Sequence, residues 1–395
     1  MQRKNNPLFI KDISQGVLKP LGQIILFIIG TSVILSAIML LLALILSGTA
    51  IDQKALSDNG VSLMRFTIGN LPQVLIDGIT LGFVYAMIAL GYTMVYGVLE
   101  FINFAHSEIF AIGAFVGVEM LIALNASGVL TNATVLESYG WLVLAILAGM
   151  AGAGAMAMLV ERIAYRPLRN APRLVPLISA VGVSFFLQDA IRLTESLTTG
   201  QFYRVFPSFG NFDSLVPLYN FAMGANNIKV QISVKSIWVI AAALVMLVGL
   251  NYLVNVTKVG KAIRAVAQSQ SSANLMGINV NRIISLTFLV GGAFGGAAGV
   301  LYALKFTQIN PYMGFFPGIK AFTAAVMGGI GNLTGALLGG MVLGMLETFV
   351  GAYLSVFTMG AAGSEYKDIL AFAILILVLI FRPSGLLGEQ VAQKA

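Results

Sequence analysis

Apolar stretches recur along almost the whole chain, at 21 to 47, 73 to 99, 101 to 125, 140 to 160, 174 to 190, 237 to 254, 283 to 304, 320 to 330, 333 to 357 and 369 to 381. A run of roughly 20 apolar residues matches the hydrocarbon thickness of a bilayer. In that solvent only the chain itself can satisfy a backbone N–H or C=O, so a segment crosses as a helix. The pattern predicts an all-α, polytopic transmembrane bundle of about nine to ten membrane segments, with broken or re-entrant helices among them. The stretch at 320 to 330 is short and ends in Gly328-Gly329-Ile330-Gly331-Asn332, which makes it the candidate for a re-entrant piece. Charged residues are 10% of the chain, against roughly 25% in a soluble domain.

The net charge of +7 sorts by segment rather than into one patch, which fits membrane topology and argues against a nucleic-acid partner. Basic residues accumulate on the cytoplasmic side of short loops. Arg162, Arg166, Arg169 and Arg173 occupy one connection, and Lys258, Lys261, Arg264 and Arg282 another. Placing both in the cytoplasm places both termini there too. The cytoplasmic segments then hold 14 Lys and Arg, and the outer segments hold 9 of the total of 23. The uncharged stretch from Leu21 to Ser47 is too long for a signal-peptide core, although Gly48-Thr49-Ala50 faintly resembles a cleavage site, and it is read as a retained anchor helix. Residues 48 to 70 and 191 to 236 are read as polar outer loops, the second able to fold as a small cap or dock an external partner.

Chemistry-bearing residues are few. The chain has no cysteine, so disulfides, thiolate metal sites and thiol catalysis are excluded. Gly260-Lys261 lacks the upstream glycine of a phosphate-binding loop, and Gly152-Ala153-Gly154 lies inside an apolar span with no preceding strand. No Gly-x-Ser-x-Gly elbow occurs. The segment Ile102-Asn103-Phe104-Ala105-His106-Ser107-Glu108 holds the one histidine and a carboxylate amid apolar sequence. Ionisable groups at membrane depth face protein or water. Asn103, His106 and Glu108 are therefore candidates for a helix break or a translocation path. Zinc chemistry at His106-x-Glu108 would need cysteines the chain lacks. Asp77, Glu119 and Glu347 are single acids in apolar runs with no visible basic partner, and Asp189 with Arg192 is a candidate local pair.

Small residues at four-residue spacing recur as Gly78 and Gly82, Gly113 and Gly117, Gly291 and Gly295, Gly292 and Gly296, Gly335 and Gly339, and Gly340 and Gly344. Such pairs let helix backbones approach closely in lipid. Between two of the spans, residues 257 to 282 carry no acid and form a polar stretch: a helix-prone run from Gly260 to Met276, then a Gly277-Ile278-Asn279-Val280 turn. That protrusion is one a soluble partner could grip.

Several long motifs, in order, make the chain similar to the LivH-type permeases of branched-chain amino-acid ABC importers. They are LGFVYAMIALGYTMVYGVLEFINFAHSEIFAIGAFVG from Leu81, Glu161-Arg162 with AYRPLR from Ala164, LMGINVNRIISLTF from Leu275, KAFTAAVMGGIGNLTGALLGG from Lys320, EYKD from Glu365 and RPSGLLG from Arg382. The likeness covers roughly 72 to 388; Ser107 stands where the family commonly has glycine, and the first 70 residues lie outside the pattern. It divides the chain into an N-terminal extension at 1–70, a permease domain at 71–388 and a cytoplasmic tail at 389–395. It implies a transport subunit of the bacterial cytoplasmic membrane rather than an enzyme, working with a second homologous permease, two cytoplasmic ATPase subunits and an extracytoplasmic solute-binding protein. No cofactor would sit on this chain; ATP and Mg would belong to the ATPase partners. Lys261, Arg264, Gly277, Ile278 and Asn279 become the candidate coupling residues. The substrate would be a branched-chain or other neutral amino acid, with urea and short amides as the related alternative. The rival reading is an ion-gradient-driven secondary transporter using Glu108, Asp77 or Glu347.

Overall fold

The structure, a computed structural model, describes residues 19–99, 101–169, 171–172, 174–223 and 226–388. Arg3, Lys4, Lys11, Arg173, Lys394 and the expected tail at 389–395 lie outside the described residues. The helices are α1 (Lys19–Ile45), α2 (Ala50–Asn59), α3 (Leu63–Leu99), α4 (His106–Ala126), α5 (Val135–Val160), α6 (Leu174–Thr198), α7 (Val234–Val256), α8 (Lys258–Gln268), α9 (Gln270–Leu275), α10 (Val280–Phe306), α11 (Phe315–Gly328), α12 (Leu333–Phe357) and α13 (Lys367–Phe381). Each expected apolar stretch contains a helix, although 101 to 105 and 329 to 330 are not helical, and eight helices, α1, α3 to α7, α10 and α12, are long and apolar enough to cross a membrane.

The other two stretches fall short of that length. α11 has 14 residues and α13 has 15, or about 21 to 23 Å at about 1.5 Å per residue, against a hydrocarbon core of about 30 Å. α11 stops at Gly328 because Gly329 and Gly331 take positive φ of 107° and 92°, a region open to glycine and costly for other residues. Asn332 then caps α12 by accepting the Gly335 amide at 3.0 Å.

α3, α10 and α12 form the interior, and the apolar windows of α3 and α10 are 72% buried against 11% for α1, which leaves α1 as a peripheral helix. α3 packs on α12 and α11, α10 packs on α4 and α5, and α3 against α10 joins the two groups. The glycine pairs sit at these closures. A Cβ on Gly344 would run into the backbone of Gly82, one on Gly340 into Ala86, and one on Gly113 into Gly296. Gly339 abuts Ala324, Gly292 abuts Ala157, and Gly295 faces His106. In lipid, where apolar burial offers little drive, such backbone approach supplies the dispersion contacts that hold helices together.

Residues 48 to 70 are a correction to the expected outer loop: they contain α2 and the opening turns of α3. Asp52 accepts the amides of Leu63 at 2.7 Å and Gly48 at 3.1 Å. Those two donors hold its carboxyl below the usual range. Ala43, Ala55 and Leu63 form a small buried cluster that ties α1, α2 and α3 together beside Val356 and Phe357 of α12. The expected loop at 191 to 236 is shortened by α6, which runs on to Thr198. Its remainder carries β1 (Arg204–Val205), β2 (Leu215–Met223) and β3 (Asn226–Ser233). β2 and β3 form an antiparallel hairpin, and β1 pairs with β4 (Gln308–Ile309). Phe206, Phe209 and Phe212 pack in sequence and reach Tyr139 and Trp238, a capping layer over the ends of α5 and α7.

Candidate translocation and coupling site

The basic stretch after α7 folds as two helices rather than one run. Thr257 caps α8 through the Gly260 amide at 3.0 Å, and Ser269 interrupts the helix by capping α9 through the Ser272 amide at 3.2 Å. Serine and threonine compete with the helix for its free amides at such positions. Gly277, at φ 80°, ends α9 in the left-handed conformation, with its amide on Asn274 O at 3.0 Å and the Ile278 amide on Ala273 O at 3.0 Å. Asn279 then caps α10 through the Arg282 amide at 3.1 Å.

This element is seated on the bundle by one face only. Gly260, Ile263 and Val266 are buried, and α8 packs on α3, α7 and α10. Lys261, Arg264, Gly277 and Asn279 are exposed, and Ile278 is half-buried. The Arg264 guanidinium donates to the Val254 carbonyl near the end of α7, where helical carbonyls lack partners. Leu275 and Met276 at the tip are 88% and 83% exposed. Two large apolar side chains held out beside a glycine turn make a surface that a partner would cover.

A second network joins this element to the stretch at 161 to 169. A π-helical turn over Glu161–Tyr165 continues α5. There the buried Glu161 carboxylate accepts from Arg169 and from Ser285 of α10. Arg169 also donates to Asn281 Oδ1 at 2.6 Å. Tyr165, from the same turn, donates to Asn103 Oδ1 at 2.6 Å. One polar chain therefore runs from the start of α10 to the break between α3 and α4.

That break holds the three interior candidates. Residues 101 to 105 are not helical, and α4 begins at His106 with no side-chain cap. His106 is buried edge-on to Tyr92 at 4.7 Å, with Gly91 and Gly295 against its ring. Glu108 Oε1 faces the Ser184 hydroxyl of α6 at 3.4 Å. Asn103 Nδ2, His106 Nε2, Glu108 Oε2 and Thr93 Oγ1 have no hydrogen-bond partner. A narrow cavity, with room for about one water molecule, is lined by Tyr92, Thr93, Tyr96, Asn103, Phe322 and Ile330. Buried polar atoms are normally satisfied, so these four unpartnered atoms, on α3, the α3–α4 break and α4, are polar points inside the bundle.

Three acids that have no basic neighbour in sequence have partners in space, which corrects the expectation for two of them. Glu347 accepts from Lys320 at 2.9 Å, Lys367 at 3.0 Å and Tyr85 at 2.7 Å, and Lys320 also reaches Asp368 at 2.8 Å. Glu119 is held by Arg204, with Nη2 at 2.7 Å. Asp77 accepts from Gln73 at 3.0 Å. Asp189 and Arg192 lie 4.0 Å apart and are exposed. Lys320, Tyr85, Glu161 and Tyr165 were invisible as site residues in sequence; the signal was a lysine inside an apolar helix and an acid at the end of one.

Residues 74–379 match the family described as branched-chain amino acid transport system / permease component. The chain is 42% identical over 332 residues to the high-affinity branched-chain amino acid transport system permease protein LivH of Escherichia coli (strain K12), a match that covers 82% of this chain and 97% of that relative. It is 41% identical over 324 residues to the permease protein BraD of Pseudomonas aeruginosa, with the same coverage. A weaker similarity, 29% over 135 residues and 33% of this chain, reaches 39% of the ribose import permease protein RbsC of Haemophilus influenzae. With its multi-pass helical bundle, the chain belongs to the family of permease components of branched-chain amino acid transport systems.

Proposed function

We propose that this chain is a transmembrane permease subunit of an ATP-driven importer for branched-chain amino acids, set in the bacterial cytoplasmic membrane with both termini inside. The observation that carries the reading is the 42% identity to LivH across 97% of that relative's length. In this reading an extracytoplasmic binding protein delivers substrate to the outer face, where the β2–β3 hairpin and the Phe206–Phe212 layer lie. A second homologous permease completes the path. Two cytoplasmic ATPase subunits hold ATP and Mg.

The geometry supplies a route for the work. α8 and α9 present Lys261, Leu275, Met276 and the Gly277 turn outward, while Ile263 and Val266 fix them to α3, α7 and α10. A displacement of this element by an ATPase subunit moves the N-terminal end of α10. Through Asn281, Arg169 and Glu161 it also reaches the Tyr165–Asn103 contact at the α3–α4 break.

The test is uptake in proteoliposomes that contain the full complex, with ATP inside, loaded binding protein outside and all ion gradients collapsed. Leucine accumulation that requires internal ATP is the expected result, and urea or acetamide should not compete. Uptake that persists without ATP and follows a proton or sodium gradient would assign the chain to secondary transport instead.

A further inference from the structure

Among the described residues four glutamates are buried, Glu108, Glu161, Glu195 and Glu347. Glu161 faces Arg169, Glu195 faces Arg204, and Glu347 faces Lys320 and Lys367. Glu108 is 1% exposed and has no cation within ion-pair distance among those residues. Its Oε2 has no hydrogen-bond partner. A buried carboxylate with nothing opposite it is expensive.

The surroundings have one chemical character. A Cβ placed on Gly314 would lie 2.6 Å from Glu108 Oε2 and 2.6 Å from the Ser107 carbonyl oxygen, so two acceptors converge over the bare Cα of Gly314. The Ser184 hydroxyl stands at the other carboxylate oxygen. The Glu108 carboxylate and the Ser107 carbonyl therefore present acceptor oxygens, with the Ser184 hydroxyl donating at Oε1 and no ion-paired cation among the described residues, brought together by α4, α6 and the loop that enters α11. An alkylammonium carries three N–H donors, a positive charge and no acceptor. We infer that Glu108, the Ser107 carbonyl and Ser184, beside Gly314, form a binding site for the α-ammonium group of the amino acid in transit.

This inference rests on the proposed function and adds which end of the substrate the permease itself recognises. α6 packs on α4 and the π-helical turn, and its Ser184 is the α6 side chain that meets Glu108. In this proposal a shift of α6 or of the loop at Gly314 uncovers the Glu108 carboxylate to the path.

The experiment uses the full complex, in which Ser184→Cys gives this cysteine-free chain its one thiol. Leucine should slow labelling of that thiol by a small maleimide. 4-Methylpentanoate, which keeps the side chain and carboxylate but lacks the amine, should not. In proteoliposomes Glu108→Gln should lower leucine uptake about tenfold or more, the loss of a charge-assisted contact. Glu108→Asp should recover most of it, and Gly314→Ala, which fills the space and keeps the carboxylate, should resemble Glu108→Gln. Equal protection by both compounds, protection by sodium alone, no protection at all, or normal uptake by Glu108→Gln would each overturn the site. If the unaltered complex accumulates no leucine with ATP, the proposed function itself has failed, and that result is read from the parent rather than from the variants.

Discussion

Glu347 shows how a charged residue is tolerated in an apolar helix. It receives two ammonium groups and a phenol, and the second lysine, Lys320, is itself shared with Asp368. Breaking one side of a buried pair costs more than removing both, because the stranded charge keeps its desolvation penalty. Lys320→Met leaves Lys367 and Tyr85 on Glu347 and is therefore expected to destabilise the purified protein by about 2 kcal/mol, the loss of one charge-assisted contact, and Lys320→Met with Glu347→Met to cost less than the single change. Thermal unfolding of the three variants decides it; a double variant worse than the single would mean that the cluster is not held by charge pairing. Glycines obey the same local logic. Gly344→Ala forces a Cβ into the Gly82 backbone, whereas Gly249 of α7 has no atom within 4 Å of its added Cβ. The first change should lose folded yield, and the second should be neutral or stabilise by up to about 1 kcal/mol, the helix-propensity gain of alanine over glycine. A fluorescence-detected size-exclusion profile compares them directly.

At the scale of elements, α8, α9 and the turn at Gly277 act as a unit because each boundary is capped by a side chain of its own, Thr257, Ser269 and Asn279. Arg264 adds a bond to the α7 carbonyl at Val254, so it stiffens the root of the element besides offering charge to a partner. Arg264→Glu with Gly277→Val puts a carboxylate against that carbonyl and a β-branched residue at φ 80°. The pair is expected to weaken ATPase capture or to uncouple hydrolysis from uptake while membrane insertion stays intact. A normally coupled complex purified from this double variant would rule out α8–α9 as the coupling element. The Glu161–Arg169–Asn281 link makes a separate claim. Arg169→Ala should leave ATPase capture unchanged and reduce uptake per ATP hydrolysed, a ratio measured in the same vesicles.

At the scale of the whole molecule, the first helices belong to the bundle without being central to it. α1 packs on α12 and α3 mainly through Ile24, Leu35 and Ala43, and α2 lies against α3 and α12. Tyr353 of α12 donates to the Thr67 carbonyl, which ties the opening turns of α3 to α12. Deleting residues 1 to 60 should lower membrane abundance more than uptake per assembled complex; unchanged abundance with abolished uptake would give α1 and α2 a part in transport. The proposed orientation is tested by cysteines introduced singly at 162 to 169 and 258 to 282. An impermeant thiol reagent applied to intact cells should leave them unlabelled, and labelling from outside would invert the topology.

Sequence alone determined the class of the molecule, the presence of a helix within each apolar stretch and some of the places where helices stop. Those features follow from interactions within a few residues: 20 apolar positions in a row, a Ser, Thr or Asn before a helix, a glycine where φ must turn positive. It also carried the motifs that name the family. It missed the helix at 50–59 because that stretch is polar and short, and it read the half-length helix at 367–381 as a span because apolarity does not measure length. The tertiary structure alone decided who faces whom. Lys320 and Glu347 are 27 residues apart, and Arg204 and Glu119 are 85 apart, so no local pattern could pair them. The same packing left Glu108 unpaired, since whether a buried charge finds a partner depends on which helices meet around it.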